Sequence, residues 1–529
     1  MIETKVQYLD KYVETKVQYW AVCIGAGALM AALVTALLVA FSTGEPAALP
    51  QQAATPDFDV ETDSGIGSSS PLVTTPEFGA SSQAIVAAPQ PTANEQIDPL
   101  NLPSYQRPLN AGCAEPVQIS PPASDLPSVA ATAAPGTCFL LSPGEYRFHN
   151  VVPRDGQSFI GTSRDEVVVL GTDQTENAFH GTADGVNIGR MTLTGFQGSG
   201  GQKRQEQGAI RGTSRIWQSD EGEMATDWLV EDVTLSNNYA NGIFLGDHFT
   251  VRSSLIENNG VAGLGGDEII GGLVIGNVVR GNGSQQDTGY LANGGGMKFT
   301  QTVTAEQPLV IRGNEVYDNP TNGVWCDIAC QGFIVEDNYF HDQSSRAVMI
   351  ELSSNAIIRN NIMINTNTWT DFGRDFNAGA ITVGESSNVL VEGNYIDGAK
   401  AGVIVRQTQR PRRPQESFLD NYSDVTYVSG QVEVRNNILL NTGSMGVSLG
   451  TSGRGMITDP DSIRFDDNTY ADPGSMSFFW ANGDRYNVDS WRSSGRDTGG
   501  LSQVPPQPAW SLATRPVSPL AFPGFEPGY

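Results

Sequence analysis

Short apolar runs, each closed by Gly, Asp or Asn, fill the chain from about residue 141 onward, as in Ser158–Ile160, Val167–Leu170 and Val186–Ile188. Runs this brief between turn-forming residues predict short β-strands rather than helices. One pattern then recurs: an apolar pair, one or two polar residues, a fixed slot, and another apolar step. Asn277, Asn314, Asn338, Asn361, Asn394, Asn437 and Asn468 hold that slot, with Met191, Val233 and Ser254 in it upstream. The shortest spacings are 21 residues (Val233 to Ser254), 23 (Ser254 to Asn277 and Asn338 to Asn361) and 24 (Asn314 to Asn338). The others, from 31 to 43, read as one unit plus an inserted loop, or two units for the longest.

A leucine-rich repeat has a similar period, but its leucine spacing is missing. Two or three strands per unit, each following a turn, predict a coil of a solenoid. Stacked coils pair their strands in parallel about 4.8 Å apart. The preference for right-handed crossovers extends to the winding. The Asn slot has a structural explanation, since Asn tolerates left-handed turn angles and stacked amides can bond from coil to coil.

With this ladder and the opening segment Leu141–Tyr146 and Asp155–Gly161, the chain resembles the pectin-lyase-like, right-handed parallel β-helix superfamily, over roughly residues 135–495. The resemblance implies an all-β solenoid. It implies little about activity, because members include polysaccharide lyases, glycoside hydrolases, uronate epimerases and binding proteins.

A second strand in each unit alternates. In Gly242–Gly246, Gly323–Asp327, Ala347–Glu351, Ala380–Gly384, Gly402–Arg406 and Gly446–Gly450 the second and fourth positions are apolar or Cys. Those positions face the core, and the third and fifth face out. The outward rows are Phe244, Trp325, Met349, Thr382, Ile404, Ser448, and Gly246, Asp327, Glu351, Gly384, Arg406, Gly450. An exposed Trp325 and Met349 beside two carboxylates would suit a sugar ring, unless inserted loops such as 365–377 and 407–423 cover the face.

Asp327 and Glu351 should sit on adjacent coils, where like charges about 5 Å apart conflict unless a cation bridges them or one keeps a proton. A retained proton makes an acid beside a base or nucleophile, at about the separation of retaining glycosidases. A bridging Ca²⁺ would instead hold a uronate, as the pectate-lyase resemblance implies. Arg406 is placed to contact a substrate carboxylate. Lys298 could act as a base or anion contact, or be a solvated lysine. Asp247 and Asp267, with Glu268 and His248 adjacent in a glycine-rich stretch, form a second candidate cation site. His341 falls in a turn column and reads as structural.

Composition narrows the setting. A net charge of −27 argues against nucleic-acid binding. Residues 20–41 carry no charge and follow Lys5, Lys11 and Lys16. They are long enough for a transmembrane helix, a signal anchor with residues 1–19 cytoplasmic and the bulk extracellular or periplasmic. A cleaved signal peptide is the competing reading. Residues 42–108, rich in Pro, Ala, Ser and Thr, predict a disordered linker. Residues 109–498 make the β-helix, capped by Phe478, Trp480 and Trp491, and 499–529 make a loose Pro-rich tail. Outside the cytoplasm Cys113 with Cys138 and Cys326 with Cys330 suggest disulfides; zinc at Cys326 and Cys330 is the weaker option, with no further ligands nearby. The function expected is binding or cleavage of a polysaccharide by a hydrolase or lyase type of site, with a non-enzymatic surface adhesion or scaffold protein as the alternative.

Overall fold

The structure, a computed structural model, describes residues 99–172, 175–197, 207–214, 222–283, 294–302, 304–368, 378–408, 428–442, 445–452, 457, 459–471, 478–480, 484–500 and 505–513. The expected membrane segment and most of the expected linker lie outside these residues. Among the described residues no helix is long and apolar enough to cross a membrane.

Among the described residues, three parallel sheets of 13, 12 and 10 strands run the length of a solenoid. One coil shows the order: Leu309–Arg312 in the first sheet, Glu315–Tyr317 in the second, Asn322–Asp327 in the third, then Gln331–Glu336 back in the first. Register holds along the third sheet from Val324 through Val348, Ile381 and Val403 to Val447. Val324, Ile350 and Val403 are fully buried, so the expected alternation is correct. Phe139 stacks on Phe159 of the next coil with ring centroids 5.0 Å apart, and Phe179, on the third-sheet strand of the same coil as Phe159, packs tilted against it, also at 5.0 Å.

The Asn slot lies at the turn between the first and second sheets. The Asn277 backbone N–H and its Nδ2 both donate to Asn314 Oδ1, at 2.9 and 3.0 Å, and Nδ2 also donates to Val251 O at 2.9 Å. The same set recurs at Asn338, Asn361, Asn394 and Asn437. The ladder ends on a carboxylate from outside the repeats: Asp497 Oδ1 accepts from Asn468 N and Nδ2. Its Oδ2 accepts from Tyr470 and Trp491. One part of the expectation is corrected. The left-handed residue is the one before the slot, at Ser253 ahead of Ser254 and at Gly276, Gly313, Asp337, Asn360, Gly393, Asn436 and Asp467 ahead of the Asn residues, with φ from +53° to +65°. The turn is made there, and the Asn supplies hydrogen bonds to groups that the turn leaves unpaired.

Phe465, Phe478 and Trp491 close the C-terminal end as a buried aromatic cluster. At the other end the helix Leu126–Thr132 buries Leu126 and Ala130 over the first coil. The described structure begins at Pro99, ahead of the expected boundary at Leu109. Leu102 packs on Leu273, Val310 and Ile334 on the outer side of the first sheet, and Leu109 packs on Leu140, Ile160 and Leu229 nearer the N-terminal end. This strap covers the buried Arg252–Glu231 pair, 2.6 Å apart, and Arg252 donates to the carbonyls of Tyr105 and Arg107. The tail is likewise not loose throughout: Trp510 Nε1 donates to Asp337 O at 2.7 Å and Ala513 N to Gly313 O at 3.1 Å. Composition conceals both contacts, because a few residues dock on a surface built by distant coils. Both expected disulfides form, Cys113–Cys138 tying the strap to the first sheet and Cys326–Cys330 closing the turn after Asp327. The zinc alternative is thereby excluded.

Candidate functional site

The third sheet aligns the candidate residues as the alternation requires. Lys298, Trp325 and Met349 are direct neighbours in one outward row, and Thr300, Asp327, Glu351, Gly384 and Arg406 in the next. The rows are not open. Trp325 is 6% exposed and Met349 3%. Trp325 and Met349 are therefore not the exposed sugar platform expected, and the ring face is in use: Lys298 Nζ lies 3.7 Å from its centroid. Nor is Lys298 a solvated lysine, since Nζ is also 3.1 Å from Asp327 Oδ2.

The like-charge conflict between Asp327 and Glu351 is resolved by side chains. Lys298 neutralises Asp327, and Arg406 Nη2 donates to Glu351 Oε1 at 3.0 Å. Arg406 belongs to the second coil beyond Glu351 and reaches it across Gly384, where an added Cβ would meet Arg406 Nε at 2.8 Å. A glycine is what this crossing needs. Each carboxylate thus already has a basic partner, and Lys298 and Arg406 offer no oxygen to a Ca²⁺.

In this buried row the Trp325 Nε1 donor and the Asp327 Oδ1 acceptor have no hydrogen-bond partner among the described residues. They sit two residues apart on one face of one strand. Buried polar groups are almost always satisfied, so an adjacent unpaired donor and acceptor mark a position for a ligand or solvent. Arg346 joins the cluster, which the alternation missed because it precedes the repeated segment. Burial pushes its pKa down to about 10, the like charge of Arg406 adds to the fall, and Glu351 opposes it.

The second candidate site does not assemble. Asp247 Oδ1 accepts from Ile270 N at 2.8 Å, and Asp267 Oδ1 accepts from Thr300 in the next coil. Glu268 occupies a left-handed turn with φ +53°. Among the described residues no group of three or more His, Cys, Asp or Glu side chains is placed to hold a metal ion. The Asp247 and Asp267 carboxylates have been drawn into coil-to-coil bonding instead. His248 pairs with Gln307 at 2.6 Å. His341 lies on the strand Tyr339–His341 of the second sheet, not in a turn, and stacks on Tyr317 at 4.5 Å. Its ring nitrogens face Glu315 and Asp342, a structural role in keeping with the sequence reading.

Residues 216–394 match the family described as the right handed beta helix region. The class is therefore a right-handed parallel β-helix, as the sequence resemblance implied. Among curated proteins none matches. Similar solved structures include the A-module of mannuronan C-5 epimerase AlgE6 from Azotobacter vinelandii, with 15% identity, 68% of this chain and 89% of that chain covered, and a TM-score of 0.47. A mannuronic acid specific family 6 polysaccharide lyase from human gut microbiota has 14% identity, coverage of 69% and 86%, and a TM-score of 0.48. The catalytic domain of a GH87 α-1,3-glucanase, solved with tetrasaccharides, has 14% identity, coverage of 69% and 66%, and a TM-score of 0.40.

Proposed function

We propose that this protein binds or cleaves a polysaccharide at the outer side of the third sheet, and that sugars bearing carboxylates suit the site best. The observation that carries this reading is the unpaired Trp325 Nε1 beside the unpaired Asp327 Oδ1. Neighbouring sugar hydroxyls supply an acceptor for the first and a donor for the second. Lys298, Arg346 and Arg406 lie around them, and guanidinium groups take carboxylates in bidentate geometry. In a cleaving site Asp327, with a free oxygen, is the acid/base group. Glu351, oriented by Arg406, is the second carboxylate.

The burial of Trp325 and Met349 and the pairing of both carboxylates favour a second reading, a scaffold or adhesion protein whose outer rows are only structural. A glycan panel with Asp327→Asn and Trp325→Phe variants separates the two. The proposal expects binding or turnover that both variants reduce. A lyase releases unsaturated products absorbing in the ultraviolet, and a hydrolase releases reducing ends alone. No binding and no turnover on any glycan supports the scaffold. Residues 20–41 would hold the domain outside the cell membrane as a single-pass anchor, which carbonate extraction of membranes tests.

A further inference from the structure

The turn between the second and third sheets carries a ladder of its own. The Phe196 N–H donates to Asn238 Oδ1 at 3.1 Å. Asn238 N and Nδ2 then donate to Asn259 Oδ1, those of Asn259 to Asn282 Oδ1, and those of Asn282 to Asn319 Oδ1, at 2.9–3.3 Å. Strand register puts Gln343, Thr366, Ala399 and Thr442 on the next rungs. There the ladder stops. Gln343 and Thr366 are fully buried, yet Gln343 Oε1 and Nε2 and Thr366 Oγ1 have no hydrogen-bond partner among the described residues. Ala399 has no polar side-chain atom to offer.

Packing accounts for the break. A Cβ at Gly242, Gly263 or Gly296 would meet the Nδ2 of the following rung at 3.0–3.2 Å, whereas at Gly323 it would meet the Phe340 ring. The ring stands where the amide stands in the earlier coils. The first ladder has no such gap and runs through the same coils from Asn314 to Asn468. A buried polar group without a partner loses its water on closing and recovers it on opening, so it lowers the cost of opening where it lies. The side chains that follow Gln343 make long bonds: Ser345 Oγ and Arg346 Nη1 reach Asn322 Oδ1 at 3.4 and 3.5 Å.

We propose that residues 343–346 form a turn that opens locally while the rest of the solenoid stays folded, and that opening draws Arg346 away from the Glu351–Arg406 pair. Arg346 lies within electrostatic reach of both partners, so the turn sets how much positive charge the site presents. The opening stands on the ladder alone; its consequence for binding rests on the glycan reading of the site.

The test is hydrogen exchange on the full chain, read by mass spectrometry over residues 342–347, with the turns at 238–241 and 259–262 as references. Exchange at 343–346 is expected to be faster by about tenfold or more. Thr366→Val and Gln343→Met remove the unpaired atoms at similar shape. Each is expected to slow that exchange and raise the melting temperature, whereas Asn259→Leu, in the intact ladder, lowers it. Equal exchange in the three turns overturns the proposal. So does a lower melting temperature in Thr366→Val, because it shows the hydroxyl bonded to buried solvent. Bound alginate or oligogalacturonate trimer is expected to slow exchange at 343–346, and a trimer that binds without doing so overturns the link to Arg346. If no trimer binds, the glycan reading fails, and the exchange and melting results still decide the opening.

Discussion

Replacing Asn361 by alanine tests how much of the solenoid's stability lies in its amide ladder. Asn361 is fully buried and makes four side-chain bonds. Its Nδ2 donates to Val335 O at 2.9 Å and Asn394 Oδ1 at 3.0 Å, and its Oδ1 accepts from Asn338 N and Nδ2, both at 3.0 Å. At a net contribution of about 1 kcal/mol per bond, the loss is about 4 kcal/mol. The orphaned Asn338 N–H, which no solvent can reach, keeps the figure from being smaller. Asn361→Ser should recover part of the loss, because Ser254 serves as a rung: it donates to Arg252 O at 2.9 Å and accepts from Val233 N at 3.2 Å. Solenoids can unfold in parts, so urea unfolding should be joined to hydrogen exchange at the Asn338 amide. Exchange there is expected to accelerate by two to three orders of magnitude in the alanine variant. A loss below about 1 kcal/mol with unchanged exchange would show that the ladder follows from strand stacking rather than supporting it.

Other outcomes follow from single contacts. Gly384→Ala places a Cβ against Arg406 and should break its bond to Glu351; a crystal structure of the variant with Arg406 still on Glu351 would refute the role given to the glycine. Removing the Cys113–Cys138 disulfide, whose partners are 25 residues apart, should cost about 3.5 kcal/mol by loop entropy, read from chemical denaturation. Burial raises the pKa of Asp497 above the usual carboxylate value. Its contribution to stability is thus fully present below the ordinary Asp value and declines as pH climbs through the raised one. A melting series across that window should show the decline in the parent protein and not in Asp497→Asn.

Much of the fold is legible because a solenoid repeats its local rules. The Asn slot, the alternation around Val324 and Ile350, and the alignment of Asp327 with Glu351 all come from spacing alone. What spacing does not carry is the third dimension outside the coil. That Trp325 lies under Lys298, that Arg406 crosses Gly384 to reach Glu351, and that Leu102 and Trp510 dock on distant coils depend on long side chains and terminal segments with no period. The calcium expectation met the same limit: the sequence placed two carboxylates side by side without showing that a lysine and an arginine would pair with them. At Glu268 the gap is different, since spacing does not reveal that its backbone takes a left-handed turn.

The central claim is that the Trp325–Asp327 pair receives a ligand. The most direct measurement is the indole N–H resonance of Trp325 in protein labelled at its tryptophans, assigned by its loss in Trp325→Phe, during titration with oligogalacturonate and alginate trimers. A downfield shift of that signal, saturating with the trimer, is the predicted result, because Nε1 gains an acceptor. A resonance that stays fixed while the other indole signals confirm a folded protein would contradict the account.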